Sequence, residues 1–222
     1  MRETKRCRQC GTCCRKGGPA LSREDLDLVR QGYIRHDQLV TIRQGEMGYN
    51  PATDRLEPVE VELLKIRGQG SSWTCLFFVE EENSCAIYAH RPATCRILQC
   101  WHPGPLLATI YRNTLRRTDL INPHDPILAE IERHERECPA KLFTALLAEA
   151  EGGEDLSRLS ELVRADLAIR EEVAKKAGVS LEMEFFLFGR PLFKQLAGSG
   201  IEGVETKGGI DLRRRKNSSL SD

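Results

Sequence analysis

Most signatures by which a sequence declares a function are missing here. The 222 residues contain 33 Lys+Arg against 33 Asp+Glu. Zero net charge excludes a chain whose main business is coating nucleic acid or an anionic membrane. No run approaches the roughly 18 apolar residues of a spanning helix; the best stretches, Trp73–Val79 and Ala140–Ala150, are too short. The N-terminal Met1–Cys10 segment is charged and lacks the apolar core of a secretory signal, so a cytoplasmic location is expected. There is no Walker loop, no G-x-G-x-x-G after a strand, no H-E-x-x-H, no G-x-S-x-G and no internal repeat. The basic run Arg213–Lys216 has no interleaved aromatics and reads as a solvated tail, not a nucleic-acid site.

What is abundant is cysteine. There are nine, all between Cys7 and Cys138. An odd number excludes a fully paired intramolecular disulfide framework, and in a reducing compartment cysteines serve more often as metal ligands or redox groups than as bridges. The chain is also long enough to bury an ordinary core without a staple.

Four of the nine fall in Cys7-x-x-Cys10-Gly-Thr-Cys13-Cys14. A C-x-x-C turn brings two sulfurs to one point, and its extension to C-x-x-C-x-x-C is the run that holds iron–sulfur clusters in bacterial ferredoxins. Gly11 supplies the tight backbone such a loop needs. Cys13 and Cys14 are adjacent, and in extended backbone their side chains point to opposite sides. Either they serve two centres, or one ligates and the other is buried or reactive. A thioredoxin-like role for Cys10-x-x-Cys13 is disfavoured because no βαβ pattern surrounds it. The second group, Cys75, Cys85, Cys95 and Cys100, suits ligands delivered from successive strands and loops, and Cys138 follows with His134 four residues before it. Of the five histidines only His102, two after Cys100, and His134 sit where they could join a ligand set.

A tetrathiolate zinc site carries a net charge of about −2. Residues 1–16 hold six basic side chains (Arg2, Lys5, Arg6, Arg8, Arg15, Lys16) against one Glu. They would offset that charge and depress the thiol pKa values. Arg91 and Arg96, flanking Cys95, could do the same.

The pattern Cys7-x-x-Cys10-Gly-x-Cys13-Cys14, then Cys75, then Cys85-Ala-Ile-Tyr-Ala-His-Arg-Pro-Ala-Thr-Cys95-Arg96, resembles the YkgJ-like cysteine-cluster family over roughly residues 7–138. The resemblance implies a domain that chelates zinc or iron, with no assigned reaction. In that family one later cysteine usually follows the Arg-Pro-x-x-Cys-Arg segment; Cys138 is similar to it, and Cys100 looks like an addition. Some flagellin lysine methylases are similar in cysteine pattern, which keeps an iron–sulfur cluster, 4Fe-4S included, among the options.

The expected ligands are therefore Cys7, Cys10, Cys13, Cys14, Cys75, Cys85, Cys95 and Cys138, with Cys100 in reserve. Eight thiolates fit two four-sulfur sites, or one iron–sulfur cluster plus a structural zinc. A closed thiolate site leaves no position for substrate, so the expected role is structural or electron-carrying. The rival is an iron–sulfur-dependent enzyme or accessory protein for modification of a protein or small molecule. The expected partners are the metal ion and a protein met through the C-terminal helices, with no membrane and no nucleic acid.

The expected fold class is α+β. Residues 1–125 form a small irregular metal-centred domain with short strands at Leu39–Arg43, Val59–Ile66 and Trp73–Val79, and a helix capped by Ser22. Residues 126–197 form a helical extension, from which Cys138 returns to the metal centre. Its helices start at Asp125-Pro126, Ala140 and Asp155, with a short one capped by Ser180. Residues 198–222, rich in Gly, Ser, Lys and Arg, are expected to be a disordered tail.

Overall fold

The computed structural model describes Cys7 and residues 9–206 and 209–215. It is α+β: helices combined with four separate two-stranded antiparallel ribbons. The first half is built from short elements. These are α1 (Thr12–Arg15), α2 (Leu26–Arg30), β1 (Leu39–Ile42), β2 (Met47–Asn50), β3 (Arg55–Pro58), β4 (Leu63–Ile66), β5 (Phe78–Val79), β6 (Ser84–Cys85), α3 (Ala93–Ile97) and α4 (Gly104–Leu107). β1 pairs with β4, β2 with β3 and β5 with β6. The strand expected over Trp73–Val79 is only its last two residues, because Cys75–Phe78 instead closes a turn, the Phe78 N–H donating to the Cys75 carbonyl at 2.9 Å.

The second half is helical: α5 (Ile127–Glu137), α6 (Ala140–Glu151), α7 (Ser157–Ala177) and α8 (Leu181–Phe188). The starts follow from capping chemistry. Asp125 accepts from the Ile127 N–H at 3.0 Å, and Ser180 accepts from the Met183 N–H at 3.3 Å. Gly178, with φ +64°, ends α7. Leu159, Leu162, Val163, Ile169 and Val173 bury one face of α7. Among the described residues no helix is long and apolar enough to cross a membrane.

One continuous apolar core runs from Leu21 and Ile34 through Phe77, Phe143 and Leu162 to Leu212. Its last contributor corrects the expectation of a disordered tail from residue 198. β7 (Ile201–Thr206) and β8 (Gly209–Arg214) pair in register, and Ile201 and Leu212 are buried. Composition favoured disorder, but two apolar residues on one face were enough to seat the ribbon on α7. Of the basic run, Arg213 and Arg214 are part of this ribbon and Arg215 follows it directly. Arg214 donates to the carbonyls of Ala150 and Glu154, and Arg213 and Arg215 pair with Glu202. Residues 216–222 lie outside the described residues.

Candidate metal centre

Three segments converge on the centre, each held by a specific contact. The first begins at Gly11, whose φ of +71° turns the chain into α1. A Cβ at Gly11 would come within 2.7 Å of both Phe78 Cε2 and Asn83 Oδ1, so the close approach of this loop to β5–β6 requires glycine. Arg15 at the end of α1 clamps the two together. It donates to Glu80 and Asn83, reaches back to the Cys10 carbonyl at 3.2 Å, and lies 4.8 Å over the Phe78 ring.

The second segment is the turn before β5. The Cys75 N–H donates to the Cys14 carbonyl at 2.8 Å, and the Gln69 side-chain amide donates to the carbonyls of Cys75 and Phe78. β5–β6 pairing then sets Cys85 opposite Phe78. The third segment is α3, which carries Cys95. Its first N–H, from Ala93, donates to the buried Asp25 carboxylate at 2.7 Å, and the Thr94 hydroxyl donates to the Ala20 carbonyl. The other oxygen of Asp25 accepts from the Ser22 N–H at 2.9 Å. One carboxylate thus ties the turn capped at Ser22 to the helix bearing Cys95.

The result is a group of five thiols, Cys13, Cys14, Cys75, Cys85 and Cys95, near enough to act on one another. Burial and then Cys13, Cys75 and Cys85 push the Cys14 thiol up to about 12. Burial, reinforced by Cys75, Cys13, Cys14 and Cys85, pushes Cys95 well above its ordinary value. Cys75 is raised by burial and by Cys85 and Cys13. The expected depression by basic residues therefore fails at these thiols: burial and neighbouring sulfurs outweigh the cations. Cys10 is lowered, chiefly by the Thr12 hydroxyl and N–H, with Arg15 a minor contributor. Arg91 stacks on the Tyr88 ring at 4.1 Å, and Arg96 donates to the Arg91 carbonyl. Neither is spent on Cys95. Arg2, Lys5, Arg6 and Arg8 lie outside the described residues.

Cys13 and Cys14 also depart from expectation. They sit in a helical turn, not extended backbone, and Cys13 is among the groups that raise the Cys14 thiol, after burial.

The other four expected ligands are placed differently. Cys7, Cys10 and Cys100 are exposed, as is Cys13 among the five. The Cys7 sulfur accepts from the Gln9 N–H, and the Cys10 sulfur contacts Thr12. Cys138 is buried, and the groups that act on its thiol are Asp166, Arg43, Glu137 and Arg170, with no cysteine among them. The structure does not bring it to the five. Among the described residues no three His, Cys, Asp or Glu side chains converge closely enough to hold an ion. The fit to a metal is chemical: soft sulfur donors gathered where each thiolate repels the next are what a zinc ion or an iron–sulfur cluster would neutralise.

His134, the histidine beside Cys138, is engaged elsewhere. It is fully buried, with Nε2 2.7 Å from Asp166 Oδ1 and Nδ1 3.4 Å from an Arg43 guanidinium nitrogen. Arg43 can only donate, so Nδ1 accepts, and the Nε2 proton goes to Asp166. That fixes a neutral imidazole, in keeping with burial pushing its pKa down. His102 is exposed, its backbone N–H closing a turn on Gln99.

The family model described as "CxxCxxCC: Putative zinc- or iron-chelating domain" matches residues 6–139. The chain belongs to this family. The chelating domain thus starts just before Cys7 and ends just past Cys138, inside the continuous core and not at its edge. No curated protein and no solved structure matches the chain. Sequence reasoning missed Gln69, Asp25 and the Arg15 clamp. The sequence marks Arg15 only as one of six basic side chains in residues 1–16, with nothing to show its partners.

Proposed function

We propose that this protein holds zinc or iron through thiolates drawn from Cys13, Cys14, Cys75, Cys85 and Cys95, in a structural or electron-carrying role. The supporting observation is the Cys75 N–H donating to the Cys14 carbonyl at 2.8 Å, which brings the two cysteine groups together; the Cys14, Cys75 and Cys95 thiols there are each raised by burial and by neighbouring sulfurs. Five sulfurs in one another's field are costly to ionise together without a cation, and a bound dication reverses that cost. Zinc would cross-link α1, the Cys75–Cys85 region and α3; an iron–sulfur cluster would add one-electron chemistry. An iron–sulfur cluster is the finer reading, supported by the Cys7–Cys14 spacing. Cys7 and Cys10 precede α1 and are the reserve ligands. Cys138 is a ligand only if α5 shifts.

Residues 1–125 carry the centre in this reading, and residues 126–197 brace it and offer a surface to a protein partner. A cytoplasmic location follows from the need to keep thiols reduced.

The test is anaerobic purification followed by visible absorption and by iron, zinc and acid-labile sulfide analysis. Brown colour with stoichiometric sulfide establishes the cluster and excludes the zinc-only form. A colourless protein with stoichiometric zinc does the reverse. Protein free of both metals overturns the reading.

A further inference from the structure

A second group of charged side chains lies next to the centre, supplies no ligand to it, and includes Lys65, whose charge acts on Cys75. Lys65 and Arg67 are two residues apart along the extended chain at the end of β4, which puts them on one face. The same face carries Val40, the cross-strand partner of Lys65. Phe185 of α8 packs on this face with Val40 and Ile42. The Arg67 guanidinium lies 5.7 Å from the Phe185 ring centroid and Lys194 Nζ lies 5.2 Å from it. Arg190 stands over the half-exposed Trp73 ring at 5.4 Å, close enough to Lys65 for the two positive charges to oppose each other.

The charges do not balance. Arg190 is paired with Glu46 and also donates to the Met47 carbonyl. Asp37 is near Arg67, but both of its oxygens are taken by Arg35 at 3.0 Å. Among the described residues, Lys65, Arg67 and Lys194 have no side-chain hydrogen bond and no ion pair, and Arg67 Nε is buried without a partner. Buried or half-buried cations are normally paired. Half-buried Arg67, beside half-buried Lys65 and sharing the Phe185 ring with exposed Lys194, therefore marks a site for an anion.

We propose that the face formed by Lys65, Arg67, Arg190 and Lys194 around Phe185 and Trp73 binds a phosphate group, free or as a phosphate ester. A dianion balances two of the three spare charges where a monocarboxylate balances one. The guanidinium fork of Arg67 suits phosphate oxygens and the lysines supply point charges. Trp73, half exposed, is placed to cover the apolar part of an ester.

The probes are inorganic phosphate and phenyl phosphate, titrated calorimetrically into the full chain as purified, at constant ionic strength, with metal content measured before and after. Saturable one-to-one binding is expected, weakened about tenfold by Lys194→Ala and by Lys65→Met. Lys175→Ala, a distant surface change on α7, should leave it unaltered. Tighter binding of phenyl phosphate identifies an ester site using Trp73; equal binding identifies a free-phosphate site. Absence of saturable binding by either probe overturns the proposal, as does a Lys194→Ala variant that binds like the parent. Lys194 is exposed, so that variant does not depend on refolding a core. Metal content is read separately, so failure here and failure of chelation are distinguishable.

Discussion

The Cys75 amide donates to the Cys14 carbonyl at 2.8 Å. That one hydrogen bond joins the N-terminal cysteine run to the second cysteine group, which the sequence separates by sixty residues of strand and loop. It fixes the backbone of both, so the two sulfurs approach because their main chains are already paired.

The five-thiol grouping predicts which cysteines matter. Cys75→Ser and Cys95→Ser should each lower bound metal to well under half of the parent's content per folded chain, because a hydroxyl is a far poorer ligand for zinc or iron than a thiolate. Cys100→Ser, at an exposed position, should leave content unchanged. Elemental analysis of the three purified variants checks this. Equal losses in all three would show that the ligand set is not the one described.

Gly11→Ala should destabilise the protein by about 2 kcal/mol, combining a left-handed backbone strain with overpacking against Phe78. The left-handed turn also starts α1, so the variant should release metal to a chelator faster than the parent. Urea unfolding gives the first quantity and chelator-coupled absorbance the second. Arg15→Met is the contrasting change. Its partner Glu80 is exposed, so the stability loss should be small beside that of Gly11→Ala.

Sequence legibility followed the length scale of the forces involved. Capping and periodicity are local, so the helices beginning after Asp125, at Ala140 and after Ser180 could be read directly. The C-x-x-C-x-x-C-C run is equally local and marked the centre. What stayed hidden depends on contacts across the chain. Cys138 follows a pattern that makes it look like a ligand, yet Arg43, from the chain just after β1, donates to its carbonyl, and His134, one turn earlier on α5, is tied to Arg43 and to Asp166 of α7. The Ile201–Arg214 ribbon looked disordered because its stability comes from α7 and not from its own composition. The cations Lys65, Arg67 and Lys194 are spread over three elements, and no spacing rule links them.

The neutral state of His134 gives a pH dependence. Its folded pKa lies below the ordinary 6.5, so the unfolded chain takes up a proton first as pH falls. The stability contributed is complete above 6.5 and is lost as pH drops below it, with a slope of up to about 1.4 kcal/mol per pH unit. Half-buried His36 is lowered by burial too and acts in the same direction. Comparing urea midpoints for the parent and His134→Gln between about pH 7.5 and 5.5 isolates His134. The variant should be less stable at the upper end and show the shallower decline. Identical slopes would mean that the imidazole already carries its proton in the folded state.

Asp166 decides whether the buried network serves the fold or the metal. Burial opposes its ionisation, but the His134 N–H and the Arg170 charge outweigh that and hold its carboxyl below the ordinary value. It receives His134, Arg170 Nε at 3.0 Å and the Leu192 N–H at 3.0 Å. Asp166→Asn leaves Arg170, itself buried, without its closest carboxylate, and the expected cost is about 3–5 kcal/mol. Glu184, 3.8 Å from Arg170, offsets part of this. Among the described residues the hydrogen bonds of this network reach a cysteine only at the Cys138 carbonyl, which accepts from Arg43, so metal bound per folded chain should match the parent's, although less of the chain will be folded. If metal content falls as far as it does in Cys75→Ser, the network positions a ligand, and Cys138 belongs to the centre after all.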